Sequence, residues 1–443
     1  MVQQREPNGV LIGGRHAAPS RAERGVELGG ADRADRAWPA TEHREVPWHT
    51  NPDQHGRDGR RPNYQDRMLT SVTTEAPPRI AEIPVDLDPE LAEQCRNVEA
   101  EIARLDAHYG AHLVGLSSFL VRSESVASSR IEQVYADLDD VARASISEQA
   151  SRAAIATAAA TAAMTMLIHD QEPGRPFREA SLLTAHRALL ENDPLEGRYA
   201  GRYRDVQNWI GGSDFSPRDA VHVPPPPQEV EPLMADLTSF VNRDDLPPLA
   251  QAALAHGQFE AIHPFTDGNG RIGRGLIAVV LRRRAVTRQV MVPVAATMLA
   301  DVDAYFDALI TYRRGDAGAL VSYLAAAADA ATSEASVSAE RLGEMPQKWR
   351  DSVRPRANSS AAKLIDNLVA NPVINAQIAQ KMTGSAAPRT YEAIEKLTDA
   401  GVLREITGGA RNRVWVASDV ASEIADLDER IGRRARPSKR WTY

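Results

Sequence analysis

The chain reads as mostly α. Apolar residues recur at helical spacing over long stretches, as in Leu91, Cys95, Val98, Ile102 and Leu105. Hydrophobic content is 43 % with aromatics at only 5 %, and alanine supplies much of it, which suits closely packed helices. Short alternating runs near the C-terminus, Val402–Ile406 and Arg413–Ala417, add a small β element. At 443 residues there is room for two or three domains.

Residues 1–75 are rich in Arg, Gly, Asp, Pro and His and poor in branched apolar residues. Such a segment buries too little surface to offset its ordering entropy, so it is expected to be a disordered extension. Met68, followed by the Pro-containing run to Pro84, is an alternative start of the chain. Ordered structure is expected from about Asp88, within a core spanning 76–340. In that core, Ala153–Ile168 is mostly Ala and Thr, too weakly apolar and too short for a membrane span, and reads as a buried helix. The glycine-rich run Gly201–Gly212 and Val221–Pro225 reads as a loop with two short extended arms. Prolines 224–227 block helix immediately afterwards, a helical segment closes over Asp236–Asn242, and Pro247-Pro248 precedes the helix that ends at His263. Helix continues over Asp303–Ala331. Polarity with Pro346 and Pro355 marks 341–357 as a linker.

Residues 358–443 form a unit of another kind. Helices are expected at Ala361–Val369, Ala376–Met382 and Pro388–Ala400, then two strands joined by the turn Thr407–Asn412. Three helices and a hairpin resemble a winged helix-turn-helix with Pro388–Ala400 as recognition helix. From Arg354 onward there are 15 basic against 10 acidic side chains, whereas the whole chain carries −8. Ser385, Arg389, Thr390, Arg411 and Arg413 are the candidate DNA contacts. Protein contact is the competing role, because the same helix carries Glu392, Glu395 and Asp399. The Arg430–Arg440 cluster reads as a solvated tail.

Chemistry concentrates in His263-Pro264-Phe265-Thr266-Asp267-Gly268-Asn269-Gly270-Arg271-Ile272-Gly273-Arg274, which reads as helix, tight loop, helix. The glycines let successive N–H groups converge on an anion, and the second helix, starting near Asn269 or Gly270, adds its positive end. Arg271 and Arg274 share a face of that helix and reach toward one polyphosphate. An imidazole with an ordinary pKa of about 6.5 accepts a proton from a hydroxyl at physiological pH. A lone carboxylate, Asp267, suits Mg²⁺ held jointly with phosphate oxygens.

This run resembles the signature of Fic-domain proteins, H-P-F-x-[D/E]-G-N-G-R-x-x-R, at every specified position. The resemblance implies a Fic-fold helical bundle with a small β-hairpin flap. It implies AMP transfer from ATP, with Mg²⁺, to a Ser, Thr or Tyr hydroxyl of a target protein. His263 would be the general base and Asp267 the metal ligand. Gly268, Asn269, Gly270, Arg271 and Arg274 would bind phosphate, and Gly270, where a phosphotransferase branch has lysine, favours nucleotidyl transfer. Ile210, Gly211, Gly212, Val221 and His222 would form the flap that docks the target segment by strand addition.

Upstream, Ser128-Ser129-Arg130-Ile131-Glu132 alone reads as a capping box, Ser129 to Glu132. Beside the signature it resembles the family's inhibitory motif, S/T-x-x-x-E-G/N, with Ser128 and Glu132. Glu132 would pair with Arg274 and exclude the γ-phosphate of ATP. Gln133 stands where Gly or Asn is usual. The same glutamate could instead place a water that removes AMP. The alternative function is a nucleotide-sensing regulator acting on DNA through the C-terminal unit. A single cysteine, Cys95, excludes intramolecular disulfides and suits a reducing cytoplasm. No membrane partner is expected, a homodimer is expected by resemblance alone, and the nucleotide base and target stay open.

Overall fold

The computed structural model describes residues 38–50, 61–110, 113, 115–146, 150–407 and 412–435. Strand β1 (Glu42–Pro47) pairs antiparallel with β2 (Ser71–Ala76), Glu42 facing Ala76 and Pro47 facing Ser71, and the single turn α1 (Tyr64–Arg67) lies between them. The described part of 1–75 is therefore ordered, a correction to the sequence expectation; residues 1–37 and 51–60 lie outside the described set. Average composition concealed a few strong attachments. Trp38 is buried with its ring 5.8 Å from that of Tyr312, and Trp48 meets Trp209 edge-on at 5.5 Å. Asp66 is fully buried, accepts from Asn63 and Ser216, and its α1 carries a complete capping box.

The helical bundle follows: α2 (Pro89–Leu105), α3 (Leu116–Ile131), α4 (Leu138–Ala144), α5 (Arg152–Asp170), α6 (Glu179–Leu190) and α7 (Pro227–Val241). Next come α8 (Pro248–Ile262), α9 (Asn269–Arg283), α10 (Val294–Ala300), α11 (Val302–Arg313) and α12 (Ala317–Val353). At its centre lie α8 and α9, each buried along nearly its whole length. A helix without a polar face must be covered on all sides, and α2, α7, α11 and α12 cover α8 while α3, α5 and α6 flank α9. Both α7 and α8 start on proline, which costs nothing at the first helical position. The prolines thus open α7 at Pro227 instead of postponing helix.

Helix α5 has 19 residues and is just long and apolar enough to cross a membrane by length and composition, where the sequence suggested it was not. It packs against α3, α6 and α9.

The linker expected at 341–357 is not a linker over 341–353: α12 runs unbroken for 37 residues through Pro346. Leu342, Met345, Trp349 and Val353 are buried at helical spacing, and that packing outweighs the one backbone hydrogen bond a proline removes. Beyond it lie α13 (Ser360–Leu368), β3 (Val373–Asn375), α14 (Ala376–Thr383), α15 (Ala387–Asp399), β4 (Leu403–Glu405), β5 (Val414–Ala417) and α16 (Ser418–Ala435). The strands form one antiparallel sheet in the order β3-β5-β4. Strand β3 and helix α16 were not anticipated. Far from being solvated, Arg430 is largely buried on α16, bonded to Glu334, Ser338 and Glu423.

Candidate active site

Helix α8 stops at His263, whose backbone turns left-handed at φ 49° and whose N–H bonds Phe259 O. The loop to α9 is then fixed from within. Asn269 Oδ1 accepts from Phe265 N–H at 2.8 Å while its Nδ2 donates to Phe265 O. Phe265 is fully buried and stacks on His186 at 3.7 Å between ring centroids. His186 accepts from Gly201 N–H at Nδ1, which leaves Nε2 to donate to Asp267 O at 3.1 Å. Burial lowers its pKa to about 4, so that neutral tautomer persists at physiological pH.

His263 is buried and its Nδ1 faces the amide groups of Asn208, at 2.9 Å, and Asn269, at 3.2 Å. Burial first, then the charges of Arg204 and Arg313 together with His222, hold its pKa well below 6.5. The imidazole is therefore unprotonated at neutral pH, as a base requires. Arg204 ties this corner together: Nε donates to His263 O at 2.9 Å, its backbone N–H to Pro264 O, and its other guanidinium donors to Val206 and Pro225. The sequence reading included Arg204 and Asn208 in the glycine-rich loop without giving either a role at His263. Their separation of more than fifty residues from it hid that role.

Helix α9 opens on Gly268, at φ 80°, with no side-chain cap, so the N–H groups of its first turn have no intrahelical partner. Asp267 is part-exposed; Oδ1 accepts from Gly268 N–H, and Oδ2 lies 3.3 Å from Arg271. Arg274 is 1 % exposed and fully engaged: Nε donates to Ser128 Oγ at 2.8 Å, Nη2 to Ser128 O at 3.0 Å and to Glu132 Oε1 at 2.7 Å. A Cβ on Gly270 would overlap that Glu132 oxygen and crowd Arg274. A carboxylate thus already occupies the space between the start of α9 and Arg274, a place built for an anion.

Behind Arg274 lies Glu260, buried, with Oε1 unpartnered and its pKa raised to about 8 by burial, Arg274 opposing and Glu132 adding to the rise. It stays protonated and leaves Arg274 to Glu132. His256 bonds Tyr305 Oη and is structural, with a pKa near 3 from burial.

The flap is less than a hairpin. Ile210 and His222 form one antiparallel bridge, and Gly211 and Gly212 turn at φ 75° and 76°. Val221 is exposed, but the His222 ring is buried, 3.1 Å from Ala261 O and 3.0 Å from Glu75 Oε2, so it supports the flap from below. Glu75 also donates its N–H to Val223 O, which joins β2 to the flap arm.

The proposed DNA contacts fare unevenly. Arg389 is exposed on α15. Thr390 is buried, its hydroxyl donating to backbone oxygens of Ser385 and Ala386, a correction that follows from its inward face on the helix. The Ser385 hydroxyl bonds Ser360, and Arg413 is paired with Glu405 at 2.5 Å. Arg411 lies outside the described residues.

Residues 176–281 match the model of the Fic/DOC family, a segment that contains His186 and the loop His263–Arg274, while Ser128 and Glu132 lie before it. Among curated proteins the chain is similar to the protein adenylyltransferase Fic of Culex quinquefasciatus, 32 % identical over 148 residues, 32 % of this chain and 26 % of that one. It is 33 % identical over 148 residues to the protein of that name from Nematostella vectensis, covering 32 % of this chain and 30 % of that one. The matched stretches thus span about a quarter to a third of those relatives. Among solved structures, a Fic family protein from Desulfovibrio desulfuricans G20 aligns with a TM-score of 0.47 at 22 % identity, over 75 % of this chain and 97 % of that chain.

Proposed function

We propose that this chain is a protein adenylyltransferase held in an inhibited state by Glu132. The observation that carries the reading is the pair Glu132–Arg274, 2.7 Å apart and mostly buried, beside a neutral His263 at the same loop. In the reaction, the acceptor hydroxyl of a Ser, Thr or Tyr gives its proton to His263 and its oxygen bonds the α-phosphorus of ATP. The bond from that phosphorus to the β-phosphate breaks, and pyrophosphate leaves. Arg271 and the free N–H groups of α9 stabilise the charge on the phosphates. Asp267 is the residue that would hold Mg²⁺, and its part-exposed carboxylate fits an ion that takes few protein ligands; the metal would neutralise phosphate charge. Arg274 can serve a γ-phosphate only after Glu132 departs.

The flap at Ile210, Gly211, Gly212 and Val221, exposed at Gly212 and Val221, is the docking edge for the target segment. The buried thiol of Cys95, its pKa raised to about 11 by burial, fits a reducing cytoplasm and has no part in the chemistry. A DNA-binding role for the C-terminal unit draws support from the exposed Arg389, and removal of AMP by a Glu132-bound water is the rival chemistry at the same site. Incubation of lysate with ATP labelled on the α-phosphate separates them. Labelling by Glu132→Gly that vanishes in Glu132→Gly/His263→Ala supports the transferase, and its absence contradicts it.

A further inference from the structure

Glu132 sits between two contacts made by the C-terminal unit. On its N-terminal side, Asp428 of α16 is set against α3, its side chain 15 % exposed: Oδ1 accepts from Ser123 Oγ at 3.0 Å and Oδ2 lies 3.6 Å from Arg130 Nη1, two residues before Glu132. On its C-terminal side, Arg404 of β4 makes a two-pronged bond with Asp139 of α4, at 2.5 and 2.7 Å. Arg143 of α4 also donates to Ile406 O just after β4. The two contacts belong to one connected body. Strand β4 pairs with β5, Leu403 facing Ala417, and β5 runs without a break into α16.

That body is fastened to the bundle independently. Glu423 of α16 accepts from Ser338 and pairs with Arg341 and Arg430, and Trp349 of α12 donates to Asp419. Between the two contacts the chain must turn, and Gln133 does so with a left-handed backbone, φ 59°, that a residue with a Cβ adopts at a cost. A segment strained at its middle keeps its place because both ends are held.

We propose that Asp428 and Arg404 are positioning residues through which the C-terminal unit holds Glu132 against Arg274, so that this unit sets the degree of inhibition. The inference rests on the inhibited-transferase reading and extends it to residues more than 250 positions away from Glu132. The exposed half of the Arg404–Asp139 pair contributes little to stability, but its bidentate geometry fixes direction. Asp428 is more deeply set, and its loss leaves Ser123 and Arg130 without a partner on α16.

The test is the rate of ATP-dependent self-modification with Mg²⁺, followed by intact mass, in the full chain. Asp428→Ala, Asp428→Asn and Arg404→Ala are each made in the wild type and in Glu132→Gly, with melting curves confirming folded protein. In the wild type each is expected to raise the rate about fivefold, as loss of one such contact shifts a two-state balance. In Glu132→Gly each is expected to change nothing, because the group they position is gone. Exchanging the charges, Arg404→Asp with Asp139→Arg, should restore the low wild-type rate. Equal effects in both backgrounds, or none in the wild type, overturn the proposal. If Glu132→Gly alone leaves the rate at the wild-type level, the inhibition reading itself fails, and this inference with it.

Discussion

Glu132 and Arg274 are 142 residues apart and share a 2.7 Å charge-assisted hydrogen bond, with Arg274 almost wholly buried. Ser128 takes two more bonds from the same guanidinium. Releasing Glu132 sacrifices a hydrogen bond to a charged group, about 1.5–3 kcal/mol, so Glu132→Gly should raise self-modification by roughly tenfold to a hundredfold. Initial rates by intact mass measure it.

Gln133 carries the strain of a left-handed backbone immediately after that glutamate. This explains why Gly or Asn suits the position: both tolerate positive φ. Gln133→Gly removes about 1 kcal/mol of strain from the inhibited conformation and should lower the basal rate several-fold. A β-branched residue, as in Gln133→Val, should raise it.

Asn208 faces His263 Nδ1 across 2.9 Å, and its Oδ1 is buried without a partner. The amide N–H of Asn208 donates to Nδ1 and so fixes the plane and position of the ring. In the Glu132→Gly background, Asn208→Ala should reduce kcat roughly tenfold to a hundredfold, as expected for a misplaced base, with KM for ATP little changed.

The folded protein keeps two buried carboxyls protonated far above their ordinary range: Glu124 and Glu260 both rise to about 8 from 4.5, chiefly through burial. Between pH 4.5 and 8 the folded state therefore holds protons that the unfolded chain has released, and stability falls as pH rises. His186, near 4, and His256, near 3, act oppositely, costing stability as pH drops below 6.5. From pH 6.5 to 8 the carboxyls act without that opposition. Tm should fall across this window, and Glu260→Gln should flatten the fall.

How much of this was legible in the sequence differs by element. The loop His263–Arg274 was readable because its chemistry is contiguous: glycines, carboxylate, imidazole and arginines within one turn between helices. Glu132 was found by resemblance alone, since nothing local distinguishes it from a capping residue. Asn208, Arg204 and Glu260 gave no signal, because their roles arise from packing between distant segments. Composition misled at both ends. Trp38, Trp48 and Asp66 secure a segment that looks unfoldable on average, and the spacing of Leu342, Met345 and Trp349 outweighs Pro346.

The central claim is that AMP transfer, with His263 as the base, begins once Glu132 leaves Arg274. Intact mass spectrometry of Glu132→Gly incubated with Mg²⁺ and each nucleoside triphosphate in turn tests it most directly. The account predicts an added AMP with ATP, lost in Glu132→Gly/His263→Ala; no added mass with any nucleotide, or addition that persists without His263, would contradict it.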